Sequence, residues 1–246
     1  RLHELVRETV ASEPDVIVTG ANVVTLAVKN VTQRIPIVMT IGVNVVESGV
    51  VQSLRRPGAN VTGMSVDVGD GIAAKQVELL KELLPGISHI GVLWEPPLES
   101  YRTTIDKAAA ALGLGVTWVR YSGDLDRDFA DLQRARCNAL DVLGATGIYR
   151  RAVEVSAYAL RLRLPSVWGL SDFVAAGGLM SYGPNLADLY RRAARHVHQI
   201  LKGAWPGEIA VEQPTRIDLE INMKSAKVLG IKVPQSLLLR ADRVIE

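Results

Sequence analysis

Gly177-Gly178-Leu179-Met180-Ser181-Tyr182-Gly183-Pro184-Asn185 sets an apolar strand core between a glycine pair and a Gly-Pro-Asn breaker, and a helical pattern follows at once. The glycine pair permits a sharp change of chain direction, and Asn185 is suited to cap the helix. Such a joint fits a chain passing between two lobes better than one continuing a single sheet. Outward from it, short apolar runs alternate with helical segments along the whole chain. That alternation marks an α/β fold with parallel sheets, here two doubly wound lobes joined by several crossings.

Strands are expected at 15–19, 37–41, 61–65, 89–94, 116–121, 139–143, 166–168, 179–182 and 216–221. Several are unbroken Val/Ile/Leu runs, as strands covered on both faces should be. Helices fall between them, for example at 72–84, where Ala73, Val77, Leu80 and Leu84 form one apolar stripe, and at 187–201. Arg56-Pro57-Gly58-Ala59-Asn60 is a turn cluster, and 67–71 is a loose polar loop. The first crossing is expected in that loop, the second near Gly177-Gly178 and the third around 212–215. Residues 1–63 and 178–211 then form lobe 1, and residues 64–177 and 212–246 form lobe 2.

The net charge of +2 comes from 28 basic and 26 acidic residues that are interspersed, with no basic stripe carrying aromatics, so nucleic acid is not an expected partner. Arg191, Arg192 and Arg195 share one helical pattern and read as a solvated face. Cys137 is the only cysteine, which excludes an intrachain disulfide. No apolar run approaches the roughly 18 residues that span a bilayer. The chain opens on Arg1-Leu2-His3-Glu4-Leu5-Val6, already inside an amphipathic helix and without an initiator Met, and so reads as a fragment or processed product.

Catalytic machinery is hard to find, and the expectation is a protein that is not an enzyme and carries no metal or cofactor. Of the histidines, His196 and His198 lie two apart on a helix, about 200° around its axis, and cannot share a metal as an i, i+4 pair can. Neither a G-x-S-x-G nucleophile elbow nor a phosphate loop of the G-x-x-x-x-G-K-[ST] type is present. Gly69-Asp70-Gly71-Ile72-Ala73-Ala74 fits G-x-G-x-x-A, with Glu95 placed where a dinucleotide site wants an acid. Asp70, however, would set a carboxylate in the phosphate turn, so a polar loop between lobes is the better reading. A nucleotide-dependent enzyme stays as the lesser alternative.

Open α/β sheets bind ligands outside the carboxyl ends of their strands. Here those ends carry Thr19-Gly20-Ala21-Asn22, then Thr40 to Asn44 with Gly42 between, then Trp94-Glu95-Pro96. Thr146, Tyr149, Ser171 and Asp172 follow later strands, and Tyr182 sits in the opening stretch. The first two segments are expected to lead into helices whose free N–H groups hold a carboxylate. Trp94 is expected as a stacking wall. Glu95 and Asp172 in one lobe, with helix N-termini in the other, would hold both ends of a zwitterion across an interlobe cleft. Trp118 and Trp205 read as core or surface aromatics.

Several stretches resemble the ABC transporter substrate-binding family related to tryptophan- and tyrosine-binding proteins, which has the type 1 periplasmic binding protein fold. They are Asp15-Val16-Ile17-Val18-Thr19, Ile35-Pro36-Ile37-Val38, Ser53-Leu54-Arg55-Arg56-Pro57-Gly58-Ala59-Asn60-Val61-Thr62-Gly63, Glu78-Leu79-Leu80-Lys81-Glu82-Leu83-Leu84-Pro85 and Gly91-Val92-Leu93-Trp94. Residues 173–185, Glu212-Gln213-Pro214-Thr215 and Ile221-Asn222-Met223-Lys224-Ser225-Ala226-Lys227 continue it. The resemblance implies a periplasmic or otherwise extracytoplasmic receptor that captures a small solute by hinge closure and delivers it to a membrane permease. Its ligand contacts would be Thr19, Gly20, Ala21, Asn22, Thr40, Gly42, Asn44, Trp94, Thr146, Tyr149, Ser171, Asp172 and Tyr182. The family's usual Ser-Gly-Thr is replaced by Gly20-Ala21-Asn22, and its frequent Gly-Asp-Pro by Gly42-Val43-Asn44. The expected ligand therefore extends from amino acids to other aromatic or carboxylated solutes. The family's first βαβ unit has no counterpart here, so lobe 1 is expected to be incomplete or completed by another copy in a homo-oligomer. A ligand-sensing module of a signalling protein is the rival reading.

Overall fold

Two separate sheets take up the apolar runs. The computed structural model describes residues 1–67, 70–96, 98–144 and 146–246. In chain order, α1 (Leu2–Ala11), β1 (Ile17–Thr19), α2 (Asn22–Val31), β2 (Ile37–Gly42) and β3 (Val61–Ser65) open the fold. Then come α3 (Asp70–Leu83), β4 (His89–Trp94), α4 (Arg102–Ala111), β5 (Gly115–Arg120), α5 (Leu125–Arg134) and β6 (Ala139–Leu143). Next are α6 (Thr146–Arg150), α7 (Ala152–Arg161), β7 (Ser166–Trp168), α8 (Asp172–Ala175), β8 (Met180–Pro184) and α9 (Leu186–Leu201). The chain ends with β9 (Ile217–Asn222), α10 (Met223–Leu229), α11 (Gln235–Leu238) and β10 (Arg243–Ile245).

Unit 1 comprises Arg1–Val68 and Leu186–Arg216; unit 2 comprises Gly69–Asn185 and Ile217–Glu246. In unit 1, β1, β2 and β3 form a three-stranded parallel sheet in that order. Ile17, Ala27, Val28, Ile37, Met39, Val50 and Val61 make its core, and α9 packs on β2 and β3. In unit 2, seven strands run in the order β10-β9-β8-β7-β6-β4-β5. All neighbours pair in parallel except β8 with β9, a departure from the purely parallel expectation. One face of this sheet packs Leu93, Leu140, Val142 and Trp168 against Phe129, Leu132 and Val155 of α5 and α7. The other is covered by α3 and α4. Strand β10 is an element the sequence pattern did not announce, because Arg243-Val244-Ile245 is too short to show a period.

The second crossing is corrected. Strand β8 belongs to the seven-stranded sheet, so the chain leaves unit 2 after Asn185 and not at Gly177-Gly178. The glycines serve a turn within unit 2 instead. Gly177 has φ +110°, and the Gly178 N–H donates to the Phe173 carbonyl at 2.8 Å. A side chain on Gly178 would collide with that carbonyl and with the Trp168 indole. Tight packing behind a strand and a change of lobe ask for the same residue type, and sequence alone does not separate them.

Candidate functional site

In unit 1 most of the expected strand-end side chains are spent on the scaffold. The Thr19 hydroxyl meets the Thr25 hydroxyl at 2.7 Å, and the Thr40 hydroxyl donates to the Thr19 carbonyl at 3.1 Å, both buried. The Asn22 amide donates to the Val43 carbonyl at 2.6 Å and to Ser48 Oγ at 2.9 Å, while its oxygen accepts the Val43 N–H at 3.0 Å. Residues 43–49 form turns rather than the expected second helix, and Asn22 ties them to α2. Gly42 is buried against the Met39 and Val45 side chains. What stays available is Gly20, exposed with open space around it, and the first turn of α2. Its N-cap, Ala21, supplies no capping side chain, so no side chain of that residue screens the first-turn amides from an anion.

An acid stands here that the sequence reading missed. Asp67, just past β3, accepts the Asn44 N–H at 2.7 Å and the Ser65 hydroxyl at 2.6 Å. Asn44 adopts a left-handed φ of +46° in this arrangement. Burial pushes the Asp67 carboxyl above its ordinary range, with those hydrogen bonds pulling it back. The signal was present as Ser65-x-Asp67, a side-chain turn at a strand end.

In unit 2, Trp94 is 6% exposed and is not the expected wall. Strand alternation puts it with Ile90 and Val92 on the face covered by α3 and α4. There it meets Trp118 edge to face at 6.4 Å, and the Arg102 guanidinium lies 4.5 Å from the Trp118 ring and 6.0 Å from the Trp94 ring. Glu95, one residue on, is the true strand end. Its carboxylate accepts the Gly147 N–H at 3.1 Å and the Ile148 N–H at 2.7 Å, capping α6. Removing that cap in Glu95→Ala is expected to cost about 1–2 kcal/mol. Urea unfolding monitored in unit 2 checks it, and a loss below about 0.3 kcal/mol would show that the cap contributes nothing.

Asp172 and Tyr149 are brought together: the Tyr149 hydroxyl donates to Asp172 Oδ2, and the Tyr149 ring stands edge to face on Phe173 at 5.7 Å. Among the described residues Asp172 has no basic partner. Thr146 is exposed at the start of α6, Ser171 is half-buried at the N-cap of α8, and half-buried Tyr182 accepts Gln76 Nε2 at its carbonyl at 2.7 Å. Tyr121, which the sequence reading passed over, lies at the same strand ends and accepts from Arg151 at 3.4 Å. The unit therefore offers tyrosines and one uncompensated carboxylate at its strand ends.

Away from the strand ends, the solvated-face reading of the arginines holds for Arg191 and Arg195 but not for Arg192. Arg192 is 9% exposed and paired with Glu212. No cluster of metal-ligating residues occurs among the described residues. The Gly69–Ala74 motif begins at Gly69, which lies outside them.

A sequence model described as ABC transporter substrate binding protein matches residues 1–245 of the chain. A tyrosine-binding protein of Clostridioides difficile (strain R20291) is 26% identical over 215 residues, covering 84% of this chain. The chain spans 60% of the length of that curated relative. Among solved structures, a conserved domain protein from Vibrio cholerae O1 biovar El Tor superimposes with a TM-score of 0.88 at 28% identity, over 99% of this chain and 82% of the other. An ABC domain from Streptococcus pneumoniae, solved in complex with L-Trp, gives 0.85 at 27% identity, over 99% and 85%.

Proposed function

The chain belongs to the ABC transporter substrate-binding protein family, and from that membership we propose that it is a non-catalytic solute receptor for an aromatic amino acid or a related aromatic or carboxylated solute. The observation that carries the choice is the Asp172–Tyr149 pair: an exposed carboxylate, held by a phenol and lacking a basic partner, amid tyrosines at the strand ends of unit 2. A ligand ammonium supplies the missing cation, and aromatic faces suit an aromatic side chain. The first-turn amides of α2, beside Gly20 and Ala21, suit the ligand carboxylate. The L-Trp held by the pneumococcal structure and the name of the tyrosine-binding relative support the same class. In this reading the protein passes its solute to the permease of an import system outside the cytoplasm.

A thermal-shift screen of amino acids, aromatic acids, nucleosides and sugars tests it. A true ligand at one hundred times its Kd stabilises by about 2.7 kcal/mol, enough to move the melting temperature. A shift with L-tryptophan or L-tyrosine is expected, and a response confined to sugars or nucleosides overturns the aromatic reading. Asp172→Ala is expected to weaken binding of the responding amino acid by roughly 10–100-fold, about 1.4–3 kcal/mol, in calorimetric titration. Unchanged affinity removes Asp172 from the site.

A further inference from the structure

We propose that Arg192 and Glu212 form a clasp that anchors the unit 1 ends of all three chain crossings, and so sets how tightly the protein holds its solute without touching it. The inference rests on the solute-receptor reading and adds a positioning pair to it. Arg192 lies on α9, less than two turns after the chain enters unit 1 at Leu186. Glu212 lies four residues before unit 1 ends at Arg216. Its backbone also bridges the end of β3: the Glu212 N–H donates to the Gly63 carbonyl at 2.9 Å, and the Ser65 N–H donates to the Glu212 carbonyl at 2.8 Å. Beta strand β3 in turn leads to the first crossing, beyond residue 68.

The side chains close the knot. Arg192 Nε donates to Glu212 Oε2 at 3.0 Å, a second guanidinium N–H reaches the same oxygen, and Nη1 donates to Thr215 Oγ1 at 3.3 Å. Asp188 lies 3.8 Å from Nη1, and His196 Nε2 lies 3.6 Å from the other Glu212 oxygen. The Gln213 amide donates to the Asp67 carbonyl at 2.9 Å. A nearly buried guanidinium would be expensive without these acceptors, so its place beside two crossings is specified rather than incidental. With the start of α9, the end of β3 and residues 212–216 fastened in one block, the freedom left to the chain is confined to the few residues that join the units. Hinges work through such small sets of residues. Loosening the clasp adds conformations to the open protein, lowers the binding-competent fraction and weakens apparent affinity in proportion.

Hydrogen–deuterium exchange on the whole 246-residue chain without ligand tests the clasp directly. Arg192→Met is expected to speed exchange at Ser65 and across residues 212–216 at least tenfold, while the amides of β1 and β2 stay protected. Arg192→Lys, which keeps the charge but not the fork, is expected to fall between. Unchanged exchange overturns the clasp, and equal acceleration through β1 and β2 assigns Arg192 to general stability instead. Should Arg192→Met fail to fold, Glu212→Gln is read by the same two criteria. With L-tryptophan as probe, Arg192→Met is expected to weaken binding at least tenfold, mainly through slower association, since fewer free molecules are competent to bind. Loosened exchange with unchanged affinity overturns the role in binding. If the wild-type chain binds neither L-tryptophan nor L-tyrosine, the aromatic reading fails, and the exchange pattern alone then decides the clasp.

Discussion

Replacing Asp141 by asparagine is expected to give a stability gain that grows from less than about 1 kcal/mol at pH 4 to about 4 kcal/mol at pH 8. Asp141 sits mid-strand in β6, paired across the sheet with Val92 and Val167, and beneath α3 with its buried Val77 and Leu80. It is fully buried, and neither carboxylate oxygen finds a hydrogen-bond partner among the described residues. Burial pushes its carboxyl from 3.8 up to about 7. The folded protein therefore keeps this proton up to about pH 7, whereas the unfolded chain releases it near pH 4. Between those limits the unfolded state binds fewer protons, so stability falls as pH rises, and above pH 7 the whole cost is present. An asparagine cannot ionise and removes that slope. Glu220, also raised by burial with Arg243 opposing, tilts unit 2 the same way, so some slope should remain in the variant. Urea unfolding of unit 2 at pH 4, 6 and 8 measures the difference. Parallel curves for the two proteins would show that Asp141 is solvated or paired in solution.

The same residue shows where sequence reasoning stops. Ala139-Leu140-Asp141-Val142-Leu143 reads correctly as a covered strand, because four apolar residues in five outweigh one acid. Nothing in the pattern says whether the acid faces a partner, water or a helix. Strand and helix positions follow from apolar period, which is a local property, so β3, β4, β6 and β7 fall where expected and α3 and α9 differ by at most two residues at an end. The strand ends were legible as a class but not in their roles. Thr19, Thr40, Asn22 and Glu95 are hydrogen-bonding residues at the expected places, yet each is consumed by a neighbour 6 to 53 positions away in the chain. Trp94 failed as a wall for a simpler reason: a shift of one residue along a strand reverses the face. Arg192 was read from its two arginine neighbours, while its partner Glu212 lies 20 residues on.

Gly63→Ala is expected to be the most damaging single-methyl change in unit 1, costing about 4 kcal/mol or more and leaving the protein poorly folded. Two independent costs coincide there. Gly63 has φ +133°, a conformation that L side chains rarely adopt, and an added Cβ would land on the backbone carbonyl and nitrogen of Met39. Met39 is its direct register partner, beside the irregularity where pairing resumes only at Gly42 with Ser65. Backbone cannot yield as a flexible side chain does, so β3 must move off β2. That movement would carry away the Gly63 carbonyl that accepts the Glu212 N–H, loosening the anchored crossings as well. Gly20→Ala is the matched control, since open space surrounds it and its φ is not left-handed. Its stability cost should stay within about 0.5 kcal/mol, so any loss of solute affinity in that variant reports on the strand end itself. If urea unfolding finds the two variants within about 1 kcal/mol of each other, β2 and β3 do not pair in the register described, and the anchoring of the crossings through Glu212 loses its foundation.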